Sequence, residues 1–189
     1  MKKAKIILLL AAMSASVLFG SDRFFVNLNA RGILPFDSGY TELYGKTQFS
    51  PGAKFGCEIF RGIFLWGGYG LSNGKGTIPL LADATQSIQH FLSAGIGFRI
   101  PLSKRTQWIV YAGGCDVLYR EEAMGLAVND SAWGFEAGTD MRFFLKKKWF
   151  ISLTASCIYA RASAHPPQGG TAEIELGGAC LGGGFGFTF

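Results

Sequence analysis

Apolar and polar positions alternate with a period of two in eight separate stretches of this chain: Phe24 to Arg31, Ala53 to Phe60, Phe64 to Ser72, Gln89 to Ile100, Trp108 to Arg120, Ala132 to Phe144, Trp149 to Ala160, and roughly Glu173 to Phe189. Successive side chains of a strand point to opposite faces, so each stretch predicts a strand with two unlike sides. One side is uncharged throughout. It takes Phe24, Val26 and Leu28, then Phe55, Cys57 and Ile59, then Leu65, Tyr69 and Leu71, then Leu92, Ile96 and Phe98. It continues with Ile109, Tyr111, Val117 and Tyr119, then Trp133, Phe135 and Phe143, then Trp149, Ile151, Leu153 and Tyr159, and ends on Leu181, Phe185, Phe187 and Phe189. The other side collects the mid-strand charges: Arg31, Lys54, Glu58, Arg99, Asp116, Arg120, Glu136, Asp140 and Arg142.

A strand such as Phe185-Gly186-Phe187-Thr188-Phe189 left as a free edge invites aggregation, so the sheet must be covered or must close on itself. Closure pairs this last strand with Phe24 to Arg31. A soluble sandwich would turn the apolar side inward, and periodicity alone does not separate the two arrangements. The width of the aromatic side and the length of the connections favour apolar-out. The odd-numbered connections are long, Gly32 to Gly52, Asn73 to Ile88, Glu121 to Ser131 and Arg161 to Ala172. The even-numbered ones are short, Arg61-Gly62-Ile63, Pro101 to Gln107 and Leu145 to Lys148. Long outer loops, short periplasmic turns and an even strand count define an all-β fold: an eight-stranded antiparallel up-and-down transmembrane β-barrel. Aromatic residues at the strand ends predict two girdles, with Tyr119, Trp133 and Tyr159 outermost and Phe98, Phe143, Trp149 and Phe189 on the periplasmic side. A second aromatic set, Phe60, Phe64, Trp108, Phe144 and Phe150, has the parity of the charges and predicts a plug at the periplasmic mouth.

The amino terminus agrees with export. Lys2, Lys3 and Lys5 precede an uncharged run from Ile6 to Phe19, followed by Gly20 and Ser21, the layout of a signal peptide too short for a spanning helix. Residues 1–20 are expected to be cleaved, leaving residues 21–189 as the barrel. Their removal takes three lysines and no acid, lowering the formal charge from +5 to +2. A nucleic-acid partner is not expected, because binding one needs a clustered basic face. The four cysteines, Cys57, Cys115, Cys157 and Cys180, sit within alternating segments rather than in a disulfide framework, and Cys157 and Cys180 have opposite parity. No metal or cofactor is implied. Gly74-Lys75-Gly76 lacks the glycine spacing and following hydroxyl of a phosphate loop and is read as an outer turn.

With these features in place, the chain resembles the small OmpA/OmpX-type outer-membrane barrels. Leu65-Trp66-Gly67-Gly68-Tyr69-Gly70, Trp133-Gly134-Phe135-Glu136-Ala137-Gly138 and the aromatic end carry the resemblance, which spans the mature chain. It implies a monomer in contact with outer-membrane lipid and lipopolysaccharide. It also implies an assembly signal, Phe185, Phe187 and Phe189, read by the insertion machinery. No peptidoglycan-binding domain follows the barrel, so wall anchoring is not carried over. An eight-stranded lumen is just wide enough for side chains to fill, so the charged residues are expected to form a paired network inside it. The expected role is structural or adhesin-like, acting on an extracellular ligand through loops that carry Tyr40, Glu42, Tyr44 and Lys46, and Pro166, Pro167 and Gln168. A narrow channel or porin-like path for small solutes or hydrophobic molecules is the alternative. Some barrels of this size modify lipid A with a histidine and a serine at the outer leaflet. Here His90 has Ser87 nearby and His165 has Ser163, but neither pair forms the His-x-Ser arrangement, and no enzyme is expected.

Overall fold

The computed structural model describes residues 23–77, 84–123, 126–164 and 172–189. The expected signal peptide, His165, Pro166, Pro167 and Gln168 lie outside these segments. Eight strands form one closed barrel in sequence order: β1 (Phe24–Pro35), β2 (Gln48–Phe60), β3 (Ile63–Thr77), β4 (Ala84–Pro101), β5 (Thr106–Ala123), β6 (Leu126–Phe144), β7 (Trp149–Ala164) and β8 (Ala172–Thr188). All neighbours pair antiparallel. The terminal alternation closes as its pattern predicts, with β8 running from Gly178 opposite Pro35 to Thr188 opposite Phe25. Phe24 N–H donates to Phe189 O at 3.0 Å and Phe189 N–H to Phe24 O at 2.9 Å, and the two rings stack at 5.8 Å.

Most strands run past their expected ends on the long-loop side, because alternation weakens there while backbone pairing continues. The ladder is not uniform, however. Pairing of β2 with β3 stops at Gly52 opposite Gly70, and pairing of β6 with β7 stops at Gly134 opposite Ala160. Beyond those rungs the barrel divides into two curved sheets, β7-β8-β1-β2 and β3-β4-β5-β6. A short helix of seven residues, α1 (Ser38–Tyr44), lies in the first long connection. The Asp37 carboxylate accepts from the Tyr40 N–H at 2.9 Å to start it, and Gly45, at φ +91°, ends it with its N–H on Thr41 O.

The apolar side faces out on every strand except β5, where the structure reverses the expected orientation. Ile109, Tyr111, Cys115, Val117 and Tyr119 are buried in the lumen, and Trp108, Leu118 and Arg120 point outward. Both faces of this strand are rich in apolar residues, so little separated them except two charges, Asp116 and Arg120. Those charges lie toward the outer interface, where a charge on the lipid side costs little. A shift of one residue turns every side chain over, and the volume of Tyr111 and Ile109 is needed inside to fill the lumen. A smaller correction concerns Phe60: a register shift between Glu58 and Phe60 ends the alternation, and the ring is 65% exposed at the rim.

Candidate functional site

The lumen is filled in layers, each placed by strand parity. Nearest the short turns is an aromatic cluster of Phe25, Phe64, Trp66, Ile109, Tyr111 and Phe150, with Phe144 packed against it. Phe25 meets Phe64 edge-on at 5.6 Å and Trp66 meets Tyr111 edge-on at 5.0 Å. Glycines on the neighbouring strands make room. A Cβ on Gly97 would stand 2.2 Å from the Phe64 ring, and one on Gly186 2.2 Å from that of Phe150. Nearest the long loops is a second apolar cluster, including Ile33, Phe91, Val117, Tyr119, Ile158 and Leu176, with Cys115 and Cys180 among them. All four cysteines are free thiols.

Between the clusters lie the charges. Arg31 Nη1 donates to Glu136 Oε1 at 2.9 Å, and Ser93 Oγ donates to Glu136 Oε2 at 2.6 Å. Asp140 stands 3.9 Å from Lys54 Nζ and 3.8 Å from Arg142 Nη2, and accepts from Thr154 Oγ1 at 2.8 Å. Three cations thus share two carboxylates, and ring faces take up the excess. Lys54 Nζ lies 3.5 Å from the centroid of Tyr111, and the Arg142 guanidinium lies 3.8 Å from that of Phe25. A desolvated cation over an aromatic face is stabilised by about 2 kcal/mol or more. The gap left beside Arg31, Lys54 and Glu136 is about 10 Å³, room for a single water molecule. Below the aromatic cluster, Arg99 pairs with Glu58 at 2.5 Å, and Glu58 accepts from the Gly62 N–H at 2.8 Å, fixing the β2-β3 turn to the mouth.

Of the residues assigned to the lumen from sequence, Arg31, Lys54, Glu136, Asp140 and Arg142 are drawn together, and Glu58 and Arg99 form a separate pair at the mouth. Asp116 and Arg120 are not inside. Asp116 sits on the outward side in register with Leu92 and Trp133, and Arg120 pairs there with Glu122. Of the residues assigned to the plug, Phe64, Phe144 and Phe150 are in the cluster. Trp108 is not: its ring is outward, 40% exposed, with the indole N–H donating to Thr139 Oγ1, so it joins the periplasmic girdle, while Tyr119 drops out of the outer one. Phe25, Trp66 and Tyr111 were missed as plug residues, the first two although their parity matches the charges.

The long-loop mouth holds the larger surprise. Tyr40 and Tyr44 are not displayed outward; α1 turns them onto inward-facing positions of β4 and β5. The Tyr40 hydroxyl donates to Ser87 Oγ at 3.0 Å, and the Tyr44 hydroxyl donates to Glu121 Oε2 at 2.5 Å and lies 2.8 Å from Thr85 Oγ1. Burial, reinforced by the Glu121 carboxylate, pushes the Tyr44 phenol well above its ordinary range, and burial raises Tyr40 as well. Gly76 is what lets α1 approach, since a Cβ there would stand 1.9 Å from Leu43 O. The signal was present in the sequence, as Asp37 and Gly45 are cap residues bracketing two tyrosines at i, i+4. Ser87 and His90 have opposite parity: Ser87 is buried against Tyr40, and His90 Nδ1 lies on the outer side, 2.7 Å from the Tyr69 hydroxyl.

No protein-family model matches the chain, and no curated protein matches it. Solved structures do. Neisserial surface protein A aligns over 89% of this chain and 98% of its own at 13% identity, with a TM-score of 0.68. OprG of Pseudomonas aeruginosa aligns over 88% and 96%, also at 13% identity and 0.68. Ail, the attachment invasion locus protein of Yersinia pestis, in complex with the heparin analogue sucrose octasulfate, aligns over 87% and 97% at 12% identity and 0.52. The likeness is one of fold: this chain is a small eight-stranded barrel of the outer-membrane type.

Proposed function

We propose that this chain is a closed, monomeric outer-membrane barrel that serves as a structural element of the membrane and presents its long-loop end for adhesin-like contact. The observation that carries the reading is the filled lumen, in which the gap beside Arg31, Lys54 and Glu136 is about 10 Å³. Residues such as Leu28, Phe55, Ile96, Leu153 and Leu181, each at least half exposed on the barrel wall, need lipid to cover them. That surface supports the outer membrane as its home, with export through the periplasm and assembly by the insertion machinery reading Phe185, Phe187 and Phe189. Phospholipid and lipopolysaccharide are then its immediate partners. Ail, an attachment protein by name, supports surface contact as a use of this fold. A catalytic role has less support, since His90 and Ser87 point to opposite sides of the wall. In planar bilayers the purified chain should give no unitary conductance steps; regular steps would refute the closed lumen. Cells carrying it should lose adherence when the connection at 36–47 is replaced by a short glycine-serine turn, and unaltered adherence would refute that contact.

A second reading draws on one feature, the unpaired edges of β6 and β7 beyond Gly134 and Ala160. They border the upper apolar cluster at the level of Trp133 and Tyr159, and a small hydrophobic molecule could leave sideways there without crossing the charges. Cross-linking cysteines placed at Ser131 and Arg161 would abolish such uptake and leave surface contact untouched.

A further inference from the structure

The short-turn end of the barrel is strongly basic. Lys104 and Arg105 occupy the β4-β5 turn, and Lys146, Lys147 and Lys148 the β6-β7 turn. None of the five pairs with a carboxylate among the described residues. Glu58, the acid at this mouth, is already held by Arg99 and the Gly62 N–H. The β4-β5 turn is tied to the end of β6, where the Phe144 N–H donates to Arg105 O at 2.8 Å, and the β6-β7 turn is closed by the Leu145 N–H donating to Trp149 O at 2.9 Å. Between them opens a pocket of about 360 Å³ whose lining includes Lys104, Arg105, Lys146 and Lys147. Arg99 and Gln107 also line it.

Two observations set its ligand apart from a soluble anion. Leu102 and Leu145, beside the basic residues, are 53% and 56% exposed, which is costly in water and favourable at a bilayer interface. Lys148 Nζ lies 5.8 Å from the ring of Phe187, on the lipid side, and Trp108 and Trp149 belt the wall at the start of the adjoining strands. The basic groups therefore lie at headgroup depth. Short turns face the periplasm in barrels of this architecture.

We propose that these two turns form a headgroup site for an anionic glycerophospholipid of the periplasmic leaflet, with its phosphate held between Lys104 and Arg105 on one side and Lys146 and Lys147 on the other. This rests on the reading of the chain as an outer-membrane barrel. The site holds the barrel at a fixed depth and gives the short-turn end a lipid preference.

The full barrel would be refolded into nanodiscs of phosphatidylcholine mixed with phosphatidylglycerol, then released into mild detergent, and the retained lipids counted by native mass spectrometry. Heat-modifiable migration is scored first, so a chain that fails to insert refutes the membrane reading and is not counted against the site. Each basic group near an anionic surface changes affinity about fivefold. The inserted protein is expected to retain phosphatidylglycerol over phosphatidylcholine, and the folded variant K104Q/R105Q/K146Q/K147Q to lose that preference by two orders of magnitude or more. R120Q/R161Q, at the opposite end, should keep it. Equal retention of both lipids by the parent, an unchanged preference in the quadruple variant, or displacement of the lipid by millimolar inorganic phosphate would each overturn the proposal.

Discussion

Replacing Glu136 by glutamine removes one of the two carboxylates that the three lumen cations share, with almost no change in volume. Its side chain is 3% exposed and that of its partner Arg31 is 6% exposed, so neither has water to turn to. The Arg31 guanidinium would keep at best a neutral hydrogen bond in place of a charged one at 2.9 Å, and Asp140 would stand alone against Arg31, Lys54 and Arg142. Breaking one side of a buried ion pair costs about 3–5 kcal/mol, which is two to three and a half powers of ten in the folding equilibrium. Removing both charges is different, because apolar replacements of similar size often leave a buried pair's stability unchanged or improve it by about 1–4 kcal/mol. Arg31→Met with Glu136→Leu should therefore be more stable than Glu136→Gln alone, and the double-mutant cycle should give a coupling of at least about 3 kcal/mol. Urea titration in lipid vesicles, followed by tryptophan fluorescence and by heat-modifiable migration, measures the parent, Arg31→Met, Glu136→Leu, the double variant and Glu136→Gln. A loss below about 1 kcal/mol for Glu136→Gln, or a double variant that simply sums the two single losses, would refute the view that these charges hold the lumen as a unit.

The aromatic plug and the outward girdle make opposite forecasts. Phe64→Ala with Phe150→Ala should admit measurable ion leak in planar bilayers, whereas Trp108→Ala should not change the trace. Tyr44→Phe removes the contacts to Glu121 and Thr85 and should weaken docking of α1 by about 1–2 kcal/mol, read as faster proteolysis of the first connection. For pH the sign follows from a raised phenol. Docking is fully present below the ordinary tyrosine value of about 10 and is lost as pH rises through the higher folded value, so tyrosinate absorbance and protease sensitivity should climb together only in strong alkali. Deleting Phe189 removes two backbone bonds from the end of the closing ladder and should slow assembly in cells more than it lowers the urea midpoint of barrels already folded.

The strand count, the closure of β8 on β1 and the choice of inner and outer faces on every strand but β5 were legible because charge and alternation coincide there. At Lys54, Glu136 or Asp140 a charged residue stands between apolar neighbours, and a lipid face at that depth does not accept it. On β5 the alternation is apolar against apolar, and its charges stand where depth no longer penalises them. Trp108 and Tyr111 were exchanged for that reason.

The amino-acid sequence by itself determined that this chain is a closed eight-stranded barrel with most of its mid-strand charges inside, since period-two patterning is local and each strand states its own two sides. Tertiary structure decided which cation meets which carboxylate, that β5 turns Tyr111 inward to meet Trp66 and Lys54, and that α1 folds down over the mouth. Those outcomes depend on volume and distance across the lumen, between residues such as Arg31 and Glu136 that are 105 positions apart along the chain. A one-dimensional pattern carries the alternation of sides but not the space that the closed wall leaves between them.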